Sequence, residues 1–152
     1  MPRPANFLEW WQKQSSSLHR NSDQLFYETK SLEHINVINT LPQRPSAIAD
    51  LGSGFGELLS CYIKHGLPVH IVQDFNPKAL DKAKELCLGL SDRPIHYTNV
   101  PVEILVRDTP CDLLIATGSI NQYLEYGLLD KLLVAISSNK SINSVIFFDC
   151  VD

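Results

Sequence analysis

No basic run, no long apolar run and no paired cysteines occur in these 152 residues, and each absence removes a class of function. Lys and Arg number 13 against 17 Asp and Glu, a formal net charge of -4. Without a basic stripe the chain has no electrostatic footprint for a nucleic-acid backbone. No segment reaches the ~18 apolar residues that a membrane-spanning helix needs. The opening Met1-Pro2-Arg3-Pro4 also lacks the apolar centre of a secretory signal. A cytoplasmic protein with no nucleic-acid or membrane partner is therefore expected. Cys61, Cys87, Cys111 and Cys150 form no C-x-x-C pair, and His19, His34, His65, His70 and His96 show no ligand spacing. Four buried, reduced thiols and no metal site follow from that pattern.

What is present is the composition of one globular domain, with 44% hydrophobic and 20% charged residues. Its most informative stretch is Asp50-Leu51-Gly52-Ser53-Gly54-Phe55-Gly56, placed where the apolar run Ala47-Ile48-Ala49 gives way to an amphipathic segment. A strand that turns through closely spaced glycines into a helix offers bare backbone to a ligand. Gly52 permits the tight turn, Gly54 a close ligand approach, and Gly56 opens the helix. A dinucleotide fingerprint would require a third small residue at position 57. Glu57 stands there, and its carboxylate would repel a pyrophosphate at the helix start. No Gly-Lys-Ser/Thr follows, so a P-loop is excluded. Asp50 beside a G-x-G-x-G run suits a cationic or zwitterionic nucleoside.

Ile71-Val72-Gln73-Asp74 is a short apolar run ending in a carboxylate, 22 residues beyond Gly52. A carboxylate so placed can accept hydrogen bonds from both hydroxyls of a ribose. Asn76-Pro77 then reads as an N-cap followed by proline at the first helical position. The segment Asp50 to Leu86 resembles class I S-adenosylmethionine-dependent methyltransferases, whose pattern is D/E-x-G-x-G-x-G, a strand ending in D/E, and a helix. The resemblance implies S-adenosyl-L-methionine as cofactor and a small-molecule methyl acceptor as partner. It places the cofactor contacts on Asp50, Gly52, Ser53, Gly54, Gly56, Asp74, Phe75, Asn99 and Thr117, with Phe75 against the adenine.

Short apolar runs alternate with helical patterns from Ser46 onward. Strands are predicted at 46–51, 68–74, 94–99, 111–117 and 143–149, and helices near 55–65, 77–88 and 127–138, with Gly66 and Gly89 as stops. Residues 101–110 carry no assignable pattern. Asn6 and Glu9 suggest a capping box for an amphipathic helix through Phe7, Leu8, Trp10, Trp11 and Leu18. Phe7, Trp10 and Trp11 read as a stripe packed on the sheet, with lining of an acceptor pocket as the alternative. A second helix is predicted from after Asn21 through Ile38, ended by Pro42 and Pro45. The fold class is therefore α/β, a doubly wound, mostly parallel Rossmann-like sheet. Its strand order, 3-2-1-4-5, is implied by the resemblance. Residues 1–42 form a helical N-terminal cap and 46–152 the core of a single domain.

Three features depart from the family pattern. The third strand ends at Thr98-Asn99 without an acid, so Asn99 either offers its carbonyl to an adenine amino group or simply forms the turn before Pro101. Where related small-molecule O-methyltransferases carry a histidine base, this chain has Gln122 and Tyr123. A tyrosine with an ordinary pKa of about 10 orients an acceptor better than it deprotonates one, and Tyr123 also reads as a packing residue. The usual last two strands are missing after the fifth, which leaves an aromatic-rich edge open. That edge implies a truncated chain, a reduced family member, or a homodimer or fused domain joined through it. Two functions follow: methyl transfer to a small molecule or sugar, or a non-catalytic methyltransferase-like binding or interaction domain of a larger protein or assembly.

Overall fold

The computed structural model describes residues 7–15, 24–117 and 128–148. Five strands run β1 Ile48–Leu51, β2 Val69–Gln73, β3 His96–Thr98, β4 Leu113–Thr117 and β5 Ser144–Phe148. Each falls inside its predicted run. All pairings are parallel, and the sheet order is β3-β2-β1-β4-β5. Helices are α1 Phe7–Gln12, α2 Gln24–Ile38, α3 Glu57–Lys64, α4 Pro77–Cys87, α5 Val102–Asp108 and α6 Leu128–Ser138.

Both faces of the sheet are covered, which is why its central strands read as unbroken apolar runs. Alternate residues of β4 point opposite ways: Leu114 and Ala116 pack with Trp11, Val102, Val106, Leu132 and Ala135, whereas Leu113 and Ile115 pack with Ile38, Leu59, Tyr62 and Leu80. One layer thus carries α1, α5 and α6, and the other α2, α3 and α4. Among the described residues β5 pairs with β4 alone, yet Phe148 at its end is buried and stacks on His34 of α2 at a centroid distance of 3.9 Å.

Local chemistry sets the helix ends. Asn76 accepts from the Lys78 and Ala79 amides while Pro77 opens α4. Gly66 and Gly89, with φ of 81° and 76°, follow the C-termini of α3 and α4, as their placement as stops predicts. The unassigned 101–110 stretch corrects to a helix. Pro101 sits just outside α5, where its missing amide is harmless, and Val102 and Val106 share one buried face. α2 ends at Ile38, ahead of the prolines expected to stop it. At the opposite end of β4, Asp112 accepts from the Ser46 amide and hydroxyl and the Ala47 amide at 2.8–3.0 Å, pinning the entry to β1.

Candidate functional site

The parallel register places the carboxyl ends of the strands together. Leu51 lies beside Gln73 and Ala116, and Gln73 beside Thr98. The next residues along each strand, Gly52, Asp74, Asn99 and Thr117, therefore reach the same end of the sheet. β1 has β2 on one side and β4 on the other, so this is where the strand order reverses, the point at which open α/β sheets bind ligands.

The glycine turn leaves β1 with φ of 68° at Gly52, 61° at Gly54 and 90° at Gly56, a left-handed series that side chains with a Cβ rarely adopt. The glycines serve different ends. A Cβ on Gly54 would meet nothing within 4 Å. A Cβ on Gly56 would lie 2.7 Å from Ala83 Cα, so Gly56 lets α3 and α4 close against each other. The expectation that Gly56 opens the helix agrees with its position as the N-cap of α3.

Asp74 organises the turn. Its Oδ2 accepts from the Gly54 amide at 2.8 Å, and its Oδ1 accepts from the Asn76 amide at 2.8 Å and the Trp11 indole Nε1 at 2.7 Å. The residue is 0% exposed. Burial pushes its carboxyl above the usual range, against the pull of amide donors Asn76, Gly54 and Phe75 and the Trp11 indole. The expected glycine turn and expected acid are thus joined by one hydrogen bond.

Two side chains beside this turn, Gln73 and the N-cap Asn76, make long-range bonds that the sequence does not reveal. Gln73, 0% exposed, accepts from the Gly52 amide through Oε1 at 3.2 Å and donates from Nε2 to the Val100 carbonyl at 3.2 Å. It ties the glycine turn to the loop bearing Asn99. Asn76 caps α4 with Oδ1 and donates from Nδ2 to the carbonyls of Trp11 and Gln14 at 2.7 and 2.9 Å. Trp11 itself packs edge-on to Phe55, with centroids 5.6 Å apart. The stripe expectation holds for Trp11 as a buried residue, but it also donates to the acid. Only the periodicity of α1 hinted at its burial, and nothing in the sequence paired it with Asp74.

The remaining predicted residues are placed as follows. Phe75 is half-buried against the cluster containing Trp11 and Phe55, Asn99 is exposed just after β3, and Thr117 ends β4. Ser53 Oγ is buried without a hydrogen-bond partner. Gln122, Tyr123 and Cys150 lie outside the described residues. Among the described residues no group of three or more His, Cys, Asp or Glu could hold a metal ion, and no helix is long and apolar enough to cross a membrane. A cleft of about 270 Å³ bordered by Pro42, Arg44, Asp112 and Asn143 opens at the opposite end of the sheet, remote from the glycine turn.

Asp50, 3% exposed, is the second acid here. Burial, reinforced by the charge of Asp74, pushes its carboxyl from 3.8 up to about 8. A raised folded-state value means that the folded protein holds a proton which the unfolded chain has lost. This contribution to stability is complete below pH 3.8 and falls as pH rises toward 8. Urea denaturation at pH 5, 6, 7 and 8 is expected to show a decline from this group of up to about 1.4 kcal/mol per pH unit. Asp50→Asn should flatten that decline, and an equal slope in both proteins would remove Asp50 as its source.

No family model and no curated protein matches the sequence. Solved structures do. YjhP from E. coli is 25% identical, with a TM-score of 0.58 over 82% of this chain and 50% of its own. The glycopeptide N-methyltransferase MtfA, solved with S-adenosyl-L-methionine, is 12% identical with a TM-score of 0.61, over 79% of this chain and 53% of its own. The methyltransferase domain of bacterial CtHen1 is 17% identical with a TM-score of 0.64, over 79% and 64%. The chain thus spans between half and two thirds of the length of these proteins. Sheet order, parallel pairing and these likenesses together give the chain the Rossmann-like fold of S-adenosylmethionine-dependent methyltransferases.

Proposed function

We propose that the chain binds S-adenosylmethionine at the carboxyl ends of β1, β2 and β4 and transfers its methyl group to a small molecule or sugar. The observation that carries this reading is the Gly54 amide on Asp74, which joins a left-handed glycine turn to the acid of the neighbouring strand at the switch point. The residues present fit such a cofactor. Ser53 Oγ, buried and unpartnered, has donor and acceptor capacity to spare for a polar ligand. The space over Gly54 admits a ligand against bare backbone. Asp50 and Asp74 are two buried acids beside the turn whose raised carboxyls a sulfonium or ammonium would draw toward the charged form, while Glu57 at the start of α3 disfavours phosphate.

In this reading Gly52, Ser53, Gly54 and Gly56 form the floor, Asp74 receives the ribose hydroxyls, and Asp50 faces the positive charge. Phe75 lies against the adenine, Asn99 accepts from its amino group, and Thr117 borders the site. When bound, the sulfonium supplies an electrophilic methyl group for in-line displacement, a reaction in which positioning provides much of the acceleration. Gln122 and Tyr123 orient the acceptor. An amine or thiol acceptor needs little help from a base, and a hydroxyl needs more.

Calorimetric titration should show S-adenosylhomocysteine binding and no heat from NAD. A folded sample giving no heat and no thermal shift with S-adenosylhomocysteine would contradict the proposal. A second reading, a methyltransferase-like binding module without turnover, is favoured by one observation: Asp74 is wholly buried with an indole on its carboxylate. Cofactor binding with no methylated product from amine, thiol and hydroxyl acceptors would select that reading.

A further inference from the structure

We infer that α1 is a latch over the nucleoside end of this site, and that cofactor binding requires Trp11 to release Asp74. The inference rests on the cofactor site proposed above. A ribose hydroxyl can reach a carboxylate only if an oxygen is accessible, and Asp74 is 0% exposed. Its Oδ1 already accepts from the Trp11 indole at 2.7 Å and the Asn76 amide at 2.8 Å, and its Oδ2 from the Gly54 amide at 2.8 Å. The two amides belong to the turns that build the site. The indole, unlike these amides, comes from a separate segment 63 residues away in sequence.

That segment is anchored by packing and by hydrogen bonds from one side chain. Asn76 Nδ2 takes the carbonyls of Trp11 and Gln14, and the Trp11 ring, 5% exposed, rests edge-on against Phe55 next to Gly54. The orientation of the Asn76 amide is fixed by the α4 amides that its oxygen accepts, so the hold on α1 comes from the same side chain that caps α4. An indole N–H on an acid that would otherwise take a hydroxyl is a competitive arrangement. The cofactor must displace the donor, and its apparent affinity falls by the fraction of molecules that are closed.

Two variants test this. Trp11→Phe keeps an aromatic ring beside Phe55 and removes the donor, and is expected to bind S-adenosylhomocysteine about tenfold more tightly than the wild type. The chain has two tryptophans, so Trp10→Phe leaves Trp11 as sole reporter. Its emission should shift to the red, and acrylamide quenching should increase, as S-adenosylhomocysteine saturates the site. Binding with unchanged Trp11 emission and quenching, or equal or weaker binding by Trp11→Phe, would overturn the latch and leave the cofactor site standing. Absence of binding by the wild type and both variants would overturn the proposed cofactor and the latch together.

Discussion

Gly56→Ala is expected to destabilise the protein by about 2–5 kcal/mol, whereas Gly54→Ala, two residues away, should cost only about 1–2 kcal/mol. Both residues have positive φ, 90° and 61°, so each substitution bears the penalty of a left-handed L-residue. Only Gly56 adds a collision. Its new Cβ would stand 2.7 Å from Ala83 Cα and 2.8 Å from Ala83 Cβ, backbone and short side chain that cannot swing aside. α3 and α4 would have to separate. Gly54→Ala meets no protein atom, and its methyl projects into the space assigned to the cofactor. Urea denaturation and cofactor calorimetry on the two variants should therefore dissociate: Gly56→Ala unfolds early, and Gly54→Ala folds but binds poorly. Equal stabilities would remove the close approach of α3 and α4 as the reason for glycine at position 56.

Asp74→Ala is expected to lower stability by about 2–4 kcal/mol without any ligand, since a buried donor left unpaired costs about 1–3 kcal/mol and part is recovered by not burying a carboxylate. Its donors lose their acceptor, among them the Gly54 amide, the Asn76 amide and the Trp11 indole. Read as a ribose acceptor only, the same residue would affect binding and leave the fold nearly untouched. The observed bonds change that expectation, because Asp74 also fixes the glycine turn and α1. Denaturation monitored by tryptophan emission should show an earlier midpoint and a red-shifted native baseline. A midpoint within 0.5 kcal/mol of wild type, the ordinary range for a neutral surface change, would show that these donors have other partners in solution.

Sequence alone was a good guide where structure is decided within a few residues. Asn76 and Pro77 start α4 through capping and a preset φ, and Gly52, Gly54 and Gly56 turn left-handed because only glycine does so freely. Apolar runs bounded by such signals located all five strands. α5 escaped because Pro101 and Pro110 bracket a helix of only seven residues, too short for its period to show. It is supported by Val102 and Val106 packing in a cluster with Leu132 and Ala135 of α6, a tertiary fact.

The site was legible to the same depth. Asp50, the glycines and Asp74 could be named from spacing, since the strand–turn–helix unit repeats a local geometry. The Gln73 bridge to Val100 and the Trp11 bond to Asp74 could not, because they join residues 27 and 63 positions apart through side chains that otherwise read as strand and core. Those long-range bonds decide whether the acid is open to a ligand.

The most direct test of the account is amide mapping by NMR during titration of the ¹⁵N-labelled chain with S-adenosylhomocysteine. The largest shifts should fall on Gly52, Ser53, Gly54, Phe75, Asn99 and Thr117, together with the Trp11 indole N–H as it leaves Asp74. Shifts confined to the opposite end of the sheet, around Arg44, Asp112 and Asn143, would contradict it.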